Sequence, residues 1–158
     1  MATYQREVWV DAPFDEVWRF YSTVDGLEAL TPEWMNLRVE EVRGPDGDSD
    51  PDVLEAGTEI RMSLRPFGTG PRQRWTSTIV QRTEEDGAAM FRDEMDGGPF
   101  PEWQHTHQFY AGDGKTLVRD VVDYRFPALG ETGSPFAKVG FEPMFAYRHR
   151  KTKDLLER

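Results

Sequence analysis

The chain has 158 residues, of which 29 are acidic and 19 basic, with three histidines and no cysteine. This length fits a single domain over 1–158, able to bury roughly 70% of the surface of its unfolded chain. The absence of cysteine excludes disulfides, thiolate metal sites and cysteine nucleophiles. A net charge of −10 argues against a nucleic-acid partner, which needs a basic footprint.

In chain order, Tyr4 to Val10 reads as a strand that Asp11-Ala12-Pro13 ends. Phe14, Val17, Trp18 and Tyr21 then fall at helical spacing on one face. Pro13 suits a first helical turn, and Asp15 and Glu16 sit where the helix dipole favours carboxylates. A second short helix around Gly26 to Leu30 stops before Pro32. From there the period changes to two. Strands are expected over 36–43, 57–66, 72–82, 88–95, 103–110 and 116–126, separated by turn-forming segments such as Gly44 to Asp52 and Asp113-Gly114. Trp75, Ser77 and Ile79 share one face, as do Phe91, Asp93 and Met95, and as do Val118, Asp120, Val122, Tyr124 and Phe126. Arg72 and Arg74 alternate away from Trp75 and are expected in solvent.

The tail returns to a helical period. Ser134-Pro135 reads as a cap and first turn. Phe136, Val139, Pro143, Met144, Tyr147 and Leu155 then line one side of a long helix, either kinked near Pro143 or starting there. The run Arg148 to Lys153 places cations near its C-terminus, as the dipole prefers, so His149 is expected in solvent. The fold class is thus α+β: about seven antiparallel strands around a long C-terminal helix, with two short helices after the first strand. One sheet face must be buried, and only the last helix is long enough to cover it.

The strand at 103–110 carries two of the three histidines. Trp103, His105, His107 and Phe109 lie on one side, and Gln104, Thr106, Gln108 and Tyr110 on the other. If the aromatic side faces inward, both imidazoles are buried and need partners. Asp93 and Asp120, each on the inward face of a neighbouring strand, are the candidates. Three readings are open. The four groups form a structural network that fixes strand register; they orient the polar end of an apolar ligand; or His105 or His107 with Asp93 acts as a general base or holds a metal. His-x-His spacing alone carries little weight for a metal, and with His149 placed in solvent no third imidazole joins, so neither metal nor cofactor is expected.

Four segments carry a family likeness. Asp11-Ala12-Pro13-x-x-x-Val17-Trp18 follows the first strand. Phe91-x-Asp93-x-x-x-Gly97-Gly98-Pro99-Phe100-x-x-Trp103-x-His105-Thr106-His107-x-Phe109 is the more specific. Asp120-x-x-x-Tyr124-x-x-Pro127 and Phe145-x-Tyr147-Arg148 complete the set. The chain resembles the helix-grip superfamily of START lipid-transfer domains, birch-pollen-allergen-like proteins and polyketide cyclase/dehydrases, often labelled SRPBCC. The resemblance implies a curved sheet gripping a helix, with a hydrophobic cavity between them. It does not imply a reaction, because one fold hosts carriers, sensors and enzymes.

The expected function is binding of a small hydrophobic or amphipathic molecule. Ligand contacts are expected from Trp75, Phe91, Asp93, Trp103, His105, His107, Phe109, Asp120, Tyr124, Met144 and Tyr147. The alternatives are a cyclase or dehydratase using a cavity histidine as base, and a regulatory or stress-related interaction protein without a ligand. No run of about 18 apolar residues exists to span a membrane. The segment Met1 to Glu7 has no apolar signal region, so a cytoplasmic protein is expected, as monomer or homodimer. Four lysines against fifteen arginines on an acidic chain suit a high-salt cytoplasm that screens carboxylate repulsion.

Overall fold

The computed structural model describes residues 1–98, 100–125 and 134–157, and the side chains of all of these except 134–139. The strands are β1 (Ala2–Val10), β2 (Arg38–Arg43), β3 (Glu59–Leu64), β4 (Gln73–Glu85), β5 (Ala88–Asp96), β6 (Glu102–Gly112) and β7 (Lys115–Arg125). The helices are α1 (Phe14–Tyr21), α2 (Val24–Ala29) and α3 (Ser134–Leu156). The strands form one antiparallel sheet in the order β1-β7-β6-β5-β4-β3-β2. The chain therefore meanders from β2 to β7, and β1 closes onto the far edge of β7. This is the expected helix-grip arrangement, with element ends shifted by one to three residues.

Local chemistry explains the turn between the first helices. Thr23 caps α2 by accepting a hydrogen bond from the Gly26 amide at 3.1 Å. Gly26 has no alternative, because a β-carbon there would stand 2.1 Å from the Phe20 carbonyl oxygen. Pro13 sits one position earlier than the first-turn placement, as the cap of α1, where its extended backbone still suits its ring. Arg72 is half-buried rather than solvated: Nη1 donates to the Asn36 carbonyl at 2.9 Å and to Ser63 Oγ at 2.9 Å, tying the start of β4 to β3. Arg74 does reach solvent, with only a loose contact to Glu40.

β7 alternates cleanly. Thr116, Val118, Asp120, Val122 and Tyr124 are buried, and the residues between them are partly exposed. Phe126 lies outside the described residues. The inward faces of β5, β6 and β7 meet α1 in one aromatic cluster. Trp18 and Tyr21 stand edge-on to Phe109 at ring separations of 5.2 and 4.9 Å. Tyr4, Val122, Tyr124, Phe141 and Phe145 form a second core under α3.

α3 runs as one helix through Pro143. Its buried stripe differs from the expected one. Phe141, Phe145, Arg148, His149 and Thr152 are buried, while Pro143 and Leu155 are exposed and Met144 and Tyr147 half-buried. Phe136, Val139 and the expected Ser134 cap lie outside the described side chains. The stripe at 141, 145, 148, 149 and 152 follows the same 3.6-residue period, rotated about the axis. Polar residues occupy it because the sheet offers them partners: Tyr21 donates to Thr152 Oγ1 at 2.7 Å, and Thr152 donates to the Arg148 carbonyl at 2.8 Å. Among the described residues no helix is long and apolar enough to cross a membrane.

Candidate functional site

Between the sheet and α3 lies a cavity of about 160 Å³. Cavities of about 150 Å³ lined by apolar groups hold a molecule the size of benzene. The sheet wall carries Ile60 and Met62 from β3, Trp75 and Ile79 from β4, Phe91 and Met95 from β5, and Trp103 from β6. Met144 and Phe145 of α3 face them, and Leu27, Leu30 and Met35 come from the segment after α1. Only a few polar side chains interrupt this lining: Thr31, Ser77, Asp93, His105, His107 and Arg148.

Strand register sets the polar wall. Asp93 of β5 stands directly opposite His105, and His107 directly opposite Asp120 of β7. The hydrogen bonds run along the diagonals instead. His105 Nε2 lies 2.7 Å from Asp120 Oδ1, and His107 Nε2 lies 3.0 Å from Asp93 Oδ1. Ser77 donates to the other Asp93 oxygen at 3.1 Å. The two imidazoles overlap at a ring separation of 3.7 Å, and Phe91 stacks on the far side of His107 at 4.0 Å. His107 Nδ1 is buried with no hydrogen-bond partner, and Asp120 Oδ1 lies 3.4 Å away. That gap is long for a hydrogen bond, so the contact is electrostatic.

His149 corrects the expectation of a solvent-facing end. It is only 1% exposed, and its Nε2 lies 2.5 Å from Asp120 Oδ2. Arg6 Nη1 lies 2.7 Å from His149 Nδ1. A guanidinium can only donate, so Nδ1 accepts and the ring proton sits on Nε2, facing Asp120. Arg6 Nε continues to Glu142 Oε1 at 3.1 Å, and Tyr4 donates its hydroxyl to the other Glu142 oxygen. All three histidines thus join one network that runs from the cavity to the surface at Glu142.

Burial penalises every charge here, yet the network decides the protonation states. Burial alone would raise Asp120, but hydrogen bonds from the imidazoles outweigh it and hold its carboxyl well below the usual range. Asp93 is likewise lowered against its burial, by His107 and His105. Burial lowers His105, and the neighbouring His107 adds to this, so it favours the neutral form. His107 is raised despite burial, because Asp120 and Asp93 both attract its proton. His105 is then a neutral imidazole whose Nε2–H is fixed on a buried carboxylate and whose Nδ1 lone pair is left over, the arrangement that orients a general base.

One carboxylate oxygen of Asp93 and one ring nitrogen each of His105 and His107 lie within 4.8 Å of one another. Two imidazoles and a carboxylate are a donor set used by non-haem iron. An ion entering here would have to replace the His107–Asp93 hydrogen bond and its proton.

Of the residues expected to contact a ligand, Trp75, Phe91, Asp93, Trp103, His105, His107 and Met144 line the cavity. Four stand behind or beside it. Asp120 is fully buried beneath the imidazoles, Phe109 packs in the α1 cluster, and Tyr124 packs edge-on to Phe141. Tyr147 faces away from the cavity walls, where Phe145 and Arg148 take its place. Arg148 also lines the cavity, although it belongs to a basic run that reads as solvated. Its spacing of three from Phe145 and seven from Phe141 was the available signal. Trp34 is 47% exposed and stacks on Phe67 at 4.8 Å.

The family model described as "Polyketide cyclase / dehydrase and lipid transport" matches residues 10–146. The chain belongs to this family. Among solved structures, protein CV1439 from Chromobacterium violaceum superposes with a TM-score of 0.71 at 14% identity, covering 99% of this chain and 97% of that one. Norcoclaurine synthase from Thalictrum flavum gives 0.66 at 17% identity, over 99% and 87%. A nucleoside-diphosphate sugar epimerase from Corynebacterium glutamicum gives 0.65 at 19% identity, over 96% of this chain but only 28% of that longer protein. Identities this low show a shared fold and nothing more specific. Among curated proteins, none matches.

Proposed function

We propose that the protein binds a small hydrophobic or amphipathic molecule between its sheet and α3. The carrying observation is the cavity itself. Its walls are aromatic and aliphatic with a handful of polar groups, which is how small-molecule sites combine affinity with orientation. Membership of a cyclase/dehydrase and lipid-transport family supports the reading. At about 160 Å³ the cavity suits a ligand of one or two rings. Titration with 4-methylbenzamide, followed through the fluorescence of Trp75 and Trp103, tests it. Saturable one-to-one binding that Ile79→Trp abolishes by filling the space is the expected result. A linear, non-saturating response in the wild type would defeat the reading.

A second reading is favoured by one feature, the neutral His105 imidazole held by Asp120. In it, His105 removes a proton next to a carbonyl, as a cyclase or dehydratase requires. Deuterium exchange into phenylacetone would be faster with the wild type than with His105→Gln by about 10²-fold. Equal rates would remove this reading and leave binding standing.

A further inference from the structure

α3 delivers a histidine and an arginine to the protein interior in successive positions, and they are treated very differently. His149 is hydrogen-bonded on both ring nitrogens, to Asp120 and Arg6. Arg148 is 9% exposed and stands in the cavity wall. Its Nε is buried without a hydrogen-bond partner. Among the described residues no carboxylate lies within 4.0 Å of its guanidinium. Its guanidinium carbon lies 5.9 Å from the centre of the Phe145 ring. A buried cation normally has a counter-charge, because the protein interior solvates it poorly. The one carboxylate in the cavity wall among the described residues, Asp93, is already held by His107 and Ser77.

We propose that Arg148 is the anchor for an acidic oxygen of the ligand, so that the cavity takes an amphipathic anion: an apolar body bearing a carboxylate or similarly acidic group. The inference rests on the reading of the cavity as a binding site and names the class of molecule that enters it. Arginine suits the task because its planar fork can meet a carboxylate with two parallel hydrogen bonds. The acidic group then lies against α3. The apolar body lies across Trp75, Phe91 and Trp103, whose rings form the opposite wall. On the sheet wall the Asp93 oxygens are taken by His107 and Ser77 and offer an anion no donor, so the acidic group is left to the helix wall. A cationic ligand is disfavoured, because its charge would meet Arg148 instead of relieving it.

The test is calorimetric titration of the wild type with three probes of one shape: 4-methylbenzoate, 4-methylbenzamide and 4-methylbenzylammonium. The benzoate is expected to bind at least tenfold more tightly than the amide, and the ammonium most weakly. Arg148→Gln should erase the benzoate's advantage over the amide. Arg148→Lys should keep part of the advantage, since the charge remains without the fork. Equal affinities for benzoate and amide in the wild type would overturn the anion proposal while leaving the cavity reading intact, and an advantage that survives Arg148→Gln would overturn Arg148 as its source. Binding of none of the three probes would defeat the cavity reading, and the anion proposal with it. Should Arg148→Gln fail to fold, Arg148→Met takes its place in the same comparison.

Discussion

The two walls of the cavity handle polar groups in opposite ways. On the sheet wall, Asp93, His105 and His107 are bonded to one another or to Asp120 behind them, and Asp120 is bonded in turn to His149. On the helix wall, Arg148 has no counter-charge among the described residues and an unpartnered Nε. The difference teaches which polar group serves the fold and which serves a guest. A satisfied network rigidifies its surroundings and resists exchange. An unsatisfied buried cation costs stability until something binds it.

Breaking the sheet wall should cost most. Asp120→Ala leaves His105 and His149 without their shared acceptor, and is expected to lower unfolding stability by about 3–5 kcal/mol in urea titrations. Phe145→Ala opens space between the second core and the cavity and should cost about 3 kcal/mol or more. Its half-buried neighbour is the control: Tyr147→Ala should cost about 1 kcal/mol, and equal losses would contradict the rotated stripe of α3.

The helix wall should respond the other way. Arg148→Met keeps the length of the side chain and removes a buried, unpaired charge, so stability in the absence of ligand should be unchanged or higher by about 1 kcal/mol. A clear loss would mean that Arg148 is a structural residue like His149.

The smallest effect is in the pH dependence, and its sign separates the two imidazoles. His107 has a raised folded pKa, so its contribution is complete below the unfolded value of about 6.5 and is lost as pH rises through the folded value. The stability gap between the wild type and His107→Gln should therefore narrow from pH 6 to pH 9. His105 is lowered, so its contribution is present above about 6.5 and is lost as pH falls through the folded value. The gap to His105→Gln should widen over the same rise in pH. Parallel trends would show that the two rings share one environment. Asp93 and Asp120 are both lowered, so their contribution should be lost together in acid, as pH falls below about 4.

The sequence carried the sheet almost entirely. Alternation in β7 and β6 put Asp120, His105 and His107 on inward faces, and a two-residue period leaves little freedom once one face is apolar. It could not carry the diagonal pairing of imidazoles and carboxylates, because alternation fixes the face of each strand but not the register between neighbouring strands. The buried stripe of α3 departs from the expected one for a different reason. The run Arg148-His149-Arg150-Lys151 looks like a solvated, dipole-matched end, but a helix turns 100° per residue and buries two of those four positions. Counting in steps of three and four from Phe141 and Phe145 reaches Arg148, His149 and Thr152. The apolar residues Tyr147 and Leu155 pulled the expected stripe to the wrong side.

Isotope-filtered NOE spectroscopy of the protein with 4-methylbenzamide tests most directly whether the space between the sheet and α3 is a binding cavity. Cross-peaks from the probe methyl and ring protons to Trp75, Phe91 and Phe145, saturating at one probe per chain, are the predicted result. Cross-peaks confined to the exposed Trp34 and Phe67 pair, or none to cavity residues at saturating probe, would contradict it.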